Sequence, residues 1–144
     1  MTVHVEAFYL PDQQSPKILS SSGEIDAMID QLLDLTILNS IAALYVVERP
    51  RLPSGGVDHE LMVAVDQDRK TGALKFMDAT GNWVTLGSSE NQNDVRLYYL
   101  HANETEFPPD SGIPLPVVRQ AAKEFLASGG QRPTCVRWQK DVYV

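Results

Sequence analysis

The sequence contains a single cysteine, Cys135. No disulfide can close within the chain, and no thiolate cage for zinc can be assembled. A lone cysteine fits a reducing compartment, so the expected location is the cytoplasm. Histidine is also scarce. His4, His59 and His101 fall in three separate segments, and no pair has the i, i+4 spacing of a helical metal site. No apolar run approaches the ~20 residues of a membrane helix, so no membrane partner is expected. The longest run, Ile41 to Val47, has the length of a buried strand. The opening "MTVHVEAFYL" lacks a basic region followed by an apolar core, so it reads as a strand and not as a secretory signal. Positive charge is in deficit: 12 Lys and Arg stand against 19 Asp and Glu, for a net charge of -7. Such a chain repels phosphates, which argues against nucleic acid as a direct partner. The glycine pairs Gly55-Gly56 and Gly129-Gly130 come without a Walker lysine or dinucleotide spacing, so no cofactor is expected.

What remains is the composition of a soluble globular domain. The chain has 144 residues, 43% hydrophobic and 22% charged, which suits one domain, 1–144, with a core of its own. Thr2 to Leu10 alternates, with Val3, Val5, Ala7 and Tyr9 on one face of a strand. A helix follows. Ser21 and Glu24 have capping-box spacing, and Ile25, Met28, Ile29, Leu32 and Leu33 form its apolar stripe. Ile41 to Val47 reads as a central strand. Three strands joined by polar turns come next, around Leu61–Val65, Leu74–Phe76 and Trp83–Leu86, as in an antiparallel meander. After a loop, "GSSENQND", another strand runs from Val95 to His101, with Val95, Leu97 and Tyr99 on one face. "ANETEFPPDSGIPLP" is expected to be extended. A second helix then carries Leu115, Val118, Ala122, Phe125 and Leu126 inward and stops at Gly129 or Gly130. A last strand is expected to alternate Thr134, Val136 and Trp138 against Cys135, Arg137 and Gln139. The order β-α-β-β-β-β-β-α-β predicts an α+β fold: a mainly antiparallel sheet with two helices packed on one face.

Candidates for chemistry are few. Cys135 with His101 has the residue types of a nucleophile and base, but Cys135 sits in an expected strand and not at a site that lowers a thiol pKa. Asp66 and Asp68 lack the Gly and Glu of a calcium loop and suit the shaping of a turn. Two acidic groups carry the partner-binding expectation. Asp26, Asp30 and Asp34 recur every four residues on the first helix, with no Lys or Arg between Ser20 and Glu48 to offset them. Each like-charge pair costs ~0.2–0.5 kcal/mol. This ridge is either a solvated face or a surface for a basic partner. Glu104, Glu106 and Asp110 surround Phe107, which is either an exposed hot spot or an anchor in the core.

The stretch from Leu61 to Gln139 resembles the type-one immunity proteins of bacterial polymorphic toxin systems. The resemblance rests on the "LMVAVDQDRKTGALKFMDATGNWVTLG" meander, the "EFPPDSGIPL" segment before the second helix, and "GGQRPTCVRWQ". It implies a non-catalytic cytoplasmic antidote that binds a cognate toxin domain, often of the nucleic-acid deaminase kind. An acidic antidote would be steered to the basic cleft of such a toxin and would block it. Two other readings remain open. One is a ligand-binding or enzymatic domain with a pocket between sheet and helices, lined by polar groups near His101 or Cys135. The other is a scaffold or dimerisation module joined through a sheet edge, so that the chain is a monomer or a weak dimer.

Overall fold

The computed structural model describes residues 2–87 and 95–143. The expected loop "GSSENQND" therefore lies, from residue 88 onward, outside the described residues. The strands are β1 (Val5–Phe8), β2 (Lys17–Leu19), β3 (Ile41–Val46), β4 (Glu60–Asp66), β5 (Thr71–Asp78), β6 (Gly81–Thr85), β7 (Arg96–Leu100), β8 (Asn103–Phe107), β9 (Ile113–Pro114) and β10 (Trp138–Lys140). The helices are α1 (Ser22–Asp34) and α2 (Leu115–Ala127), and a 3₁₀ turn spans Ile37–Asn39. Every strand pair is antiparallel. The main sheet runs β10-β6-β5-β4-β3-β1-β2, with β9 added to β5, and β7 and β8 form a separate two-stranded sheet. This is the expected α+β fold, with three short strands, β2, β8 and β9, added to the predicted order. Among the described residues, no helix is long and apolar enough to cross a membrane.

Both helices cover one face of the sheet. Ile25, Met28, Ile29 and Leu32 of α1, with Val118, Ala122 and Phe125 of α2, meet Leu44, Leu61, Val63, Val65, Leu74 and Phe76. Each fully buried Leu, Ile or Phe contributes about 1.5–3 kcal/mol. Register makes this face possible. Leu61 lies opposite Phe76 and Val63 opposite Leu74, so side chains two apart point the same way. The other face has a smaller core, where Ile41, Ala64, Ala73 and Val84 meet Tyr98 and Phe107 of the β7–β8 hairpin. The sheet is therefore the middle of three layers.

Local chemistry sets the helix ends. The Ser21 hydroxyl accepts from the Glu24 N–H at 3.2 Å. The Glu24 carboxylate reaches one residue further back than in a standard capping box and accepts from the Ser20 N–H at 3.0 Å. These bonds, led by the Ser20 N–H, hold the Glu24 pKa below its usual value. Pro116 sits in the first turn of α2, where its missing N–H costs nothing. At the far end, Gly130 N–H bonds Phe125 O at 2.9 Å and Gly129 N–H bonds Leu126 O at 3.3 Å. With φ of 73° at Gly129 and 97° at Gly130, this is a Schellman stop.

One expectation needs correction, and one question left open by the sequence is decided. The last strand begins only at Trp138, because residues 134–136 form a bend. Alternation therefore does not separate Cys135 from Val136 and Trp138, and all three pack partly buried against the main core. On β7 the apolar run did not reveal which face is buried. Tyr98 points inward, whereas Val95 and Leu97 are exposed.

Candidate functional site

The ridge on α1 is offset by charges from far along the chain. Arg119 of α2 donates to Asp26 Oδ1 at 2.9 Å and also pairs with Asp30, while Lys123 Nζ reaches Asp26 Oδ2 at 2.7 Å. Lys123, with Arg119 adding, holds the Asp26 carboxyl below its usual pKa against the opposing effect of partial burial. Neither cation pairs with Asp34, which stands exposed at the end of α1. The ridge thus joins two helices along most of its length. The sequence could not show this, because Asp26 and Arg119 are 93 residues apart.

The second acidic group is not an irregular loop. It belongs to β8, paired with β7 through Leu97↔Glu106 and Tyr99↔Glu104. His101 and Ala102, with φ of 48° and 66°, form the two-residue turn between the strands. Period-two alternation then divides the group. Glu104 and Glu106 point to solvent, and Phe107 points to the sheet. Phe107 has no exposed surface and packs edge-on to Tyr98 with ring centroids 4.9 Å apart. Of the two readings open for Phe107, the structure selects the core anchor. Asp110 lies beyond the strand, and its carboxylate accepts from the Gln139 side-chain amide at 2.9 Å, tying this segment to β10.

The outward face of the hairpin has apolar neighbours. Leu97 is 42% exposed beside Glu106, and Tyr99 reaches Glu104 with its hydroxyl at 3.4 Å. The 3₁₀ turn is attached alongside: Ser40 N–H donates to Tyr99 O, Tyr99 N–H donates to the Ser40 hydroxyl oxygen, and Ala102 N–H donates to Leu38 O. This places Ile37 (52% exposed) and Leu38 (47% exposed) next to β7. A hollow of about 340 Å³ between them is lined by Ile37, Asp66, Arg69, Arg96, Leu97 and Tyr98 among others. Carboxylates around exposed aliphatic and aromatic side chains suit protein recognition. Ile37 and Leu38 were missed because they follow the helix without continuing its stripe; two apolar residues just past a helix end were the available signal.

A ladder of buried contacts holds the hairpin in place. Lys75 Nζ lies 4.8 Å from the Phe107 ring centroid and pairs with Asp141 at 2.9 Å. Both side chains are largely shielded from water, Lys75 at 11% exposure and Asp141 at 1%. Sequence reading missed both residues, since a lysine in a strand gives no sign of pairing.

The catalytic candidates do not converge. His101 lines an open groove of about 510 Å³ on the hairpin side, with Phe8, Ala43, Tyr45 and Leu100. Cys135 packs against the core on the helix side. Burial, with the nearby Glu124 charge adding, pushes the Cys135 thiol pKa up, which keeps it protonated and weakly nucleophilic. His59 is buried. Val46 N–H donates to its Nε2 at 2.8 Å, so the proton is on Nδ1 and is donated to Asp58 Oδ1 at 2.8 Å. The Asp66 carboxylate accepts from the N–H groups of Asp68 and Arg69, which is turn chemistry. Among the described residues, no group of three or more His, Cys, Asp or Glu is placed to hold a metal ion.

A comparison with known proteins assigns the fold to a family. No curated protein matches the sequence. The family model described as Immunity protein Imm1 matches residues 13–140, nearly the whole chain. The region of resemblance seen from Leu61 to Gln139 thus extends through the first helix, and the chain belongs to the Imm1 family of immunity proteins.

Proposed function

We propose that this immunity protein binds a cognate toxin domain that acts on nucleic acid, of the deaminase type, and occludes its basic substrate cleft in the cytoplasm without catalysis of its own. The observation that carries this reading is the outward hairpin face, where Glu104 and Glu106 stand beside exposed Leu97 and half-buried Tyr99, with exposed Ile37 and Leu38 next to β7. The net charge of -7 supports it by steering a basic partner toward the chain. Exposed aliphatic groups at the centre would supply contact area, and carboxylates at the rim would supply on-rate and selectivity. Asp34, exposed at the end of α1 and paired with neither Arg119 nor Lys123, is a separate acidic contact on the helix side. Asp26 and Asp30 contribute less, because Arg119 and Lys123 already offset them. Phe107 and Asp110 serve by holding the hairpin and the segment after it.

The test is titration of the chain with the C-terminal toxin domain encoded beside its gene, at several salt concentrations. Tight binding that weakens with salt, and that weakens further in Leu97→Ala, is expected. Binding indifferent to Leu97→Ala and to Glu104→Gln/Glu106→Gln would remove the hairpin face from the interface.

A second reading, a small-molecule site, draws on the 510 Å³ groove. Its floor is mainly apolar, and its charged lining groups, Glu6 and Arg51, approach each other at 3.9 Å. A thermal-shift screen against apolar ligands with one polar end tests it; no stabilisation by any of them counts against it.

A further inference from the structure

We propose that the outer edge of β8 is a docking rail to which an extended, lysine- or arginine-bearing segment of the toxin adds as a third strand. This rests on the toxin-binding reading above and names how the contact is made.

The argument starts from where backbone groups point. In an antiparallel pair, opposite residues alternate between those that bond each other and those whose N–H and C=O face away from the partner strand. Tyr99 belongs to the second kind. Its N–H donates to Ser40 Oγ at 2.9 Å, and its C=O accepts from Ser40 N–H at 2.9 Å. Glu104 lies opposite Tyr99, so its own N–H and C=O face away from β7 on the far side of the hairpin. Glu106, two residues on and opposite Leu97, is in the same phase. Among the described residues, no other strand pairs with β8. Among the described residues, neither the Glu104 nor the Glu106 N–H has a partner within the chain. The two edges of the hairpin therefore differ beside the turn: on the β7 edge Ser40 satisfies Tyr99, whereas the β8 edge presents the outward donor–acceptor pairs of Glu104 and Glu106.

Space and charge select the occupant. Thr105, the inward residue between the two glutamates, lines a hollow of about 250 Å³ under this part of the hairpin with Met62, Met77 and Tyr143. Alternate side chains of an added strand could enter it, while the others would lie beside Glu104 and Glu106. A second copy of this chain is a poor occupant, because pairing β8 with β8 brings glutamates against glutamates. Lysine or arginine at those positions turns the same cross-strand contact attractive. Strand addition gives affinity through main-chain bonds and selectivity through alternate side chains.

Glu106→Pro is the selective perturbation. It removes the outward N–H without removing a β7–β8 ladder bond, and proline is tolerated at such edge positions. Glu106→Gln is the control, since it loses the charge and keeps the N–H. Using the toxin domain encoded beside the chain's gene, Glu106→Pro is expected to weaken binding about tenfold more than Glu106→Gln does. Amide exchange at Glu104 and Glu106 is expected to be fast in the free chain and to slow in the wild-type complex. Equal affinities of the two variants, with both amides unprotected in the complex, overturn strand addition and leave toxin binding intact. Failure of the wild-type chain to bind overturns both. Self-association of the free chain through protected β8 amides overturns the choice of occupant.

Discussion

Lys75→Met tests the packing that holds the hairpin. In the wild type, Lys75 and Asp141 form a shielded pair at 2.9 Å, and the lysine also faces the Phe107 ring. The substitution keeps the length of the side chain and removes its charge. Asp141 then retains the Tyr143 N–H at 3.0 Å but loses its ion-pair partner, in a site where its side chain is 1% exposed. Leaving a buried charge uncompensated costs about 3–5 kcal/mol. Loss of the cation–π contact adds ~0.5–1 kcal/mol. Against a total stability of about 5–15 kcal/mol, this is a large fraction. Urea denaturation of the wild type, the single variant and Lys75→Met/Asp141→Leu gives the answer. The single variant should lose about 3.5–6 kcal/mol, and the double variant should recover most of it, because an apolar pair needs no compensation. Hydrogen exchange in β7 and β8 should quicken in the single variant. A loss below ~1 kcal/mol, or a double variant weaker than the single one, would refute the claim that charge pairing at this node anchors the hairpin.

Four further variants test the same structure. Gly130→Ala forces a side chain onto φ of 97° and places Cβ 3.0 Å from Val46 and 3.1 Å from Arg49, so it should cost about 1–3 kcal/mol by denaturation. Gly129→Asn, at φ of 73° with open space around it, should cost under ~1 kcal/mol. Burial lowers the His59 pKa below its ordinary 6.5, and the Arg49 and Arg51 charges add to this against Asp58. Below about pH 6.5 the unfolded chain therefore binds a proton that the folded chain refuses, and stability falls as pH falls. His59→Gln should flatten that slope in thermal melts between about pH 6.5 and 5, above the range where carboxylates titrate. Arg119→Gln releases Asp26 and Asp30 from a partly exposed pairing, so it should cost only about 1 kcal/mol. If the α1 ridge touches the toxin, the same variant binds a basic partner more tightly at low salt; unchanged affinity assigns the ridge to helix pairing alone.

The elements legible in the sequence were those with a strong period. The stripe Ile25, Met28, Ile29, Leu32 and the stop at Gly129-Gly130 gave both helices, and alternation gave the meander. What was not legible depends on contacts between distant residues. β2 and β9 are only three and two residues long and owe their pairing to β1 and β5. The bend at 134–136 overrides an alternating pattern, with Trp138 Nε1–H bonded to Pro133 O at 2.8 Å. In the candidate site, the acidity of both groups was visible, but its meaning was not. Arg119 and Lys123 convert most of one group into a helix–helix tie. The phase of β8 splits the other into exposed carboxylates and a buried ring. Apolar residues on both faces of β7 left its buried side undetermined until Tyr98 met Phe107.

The central claim is that this chain neutralises a toxin by binding it through the β7–β8 hairpin. The most direct measurement is growth of cells that express the toxin domain encoded beside the chain's gene, with wild-type chain or with Leu97→Ala/Glu104→Gln/Glu106→Gln. Each chain is first shown to be folded and present at equal level. Rescue by the wild type, and its loss in the triple variant together with loss of complex formation, is the predicted result. Full rescue by the triple variant contradicts the account.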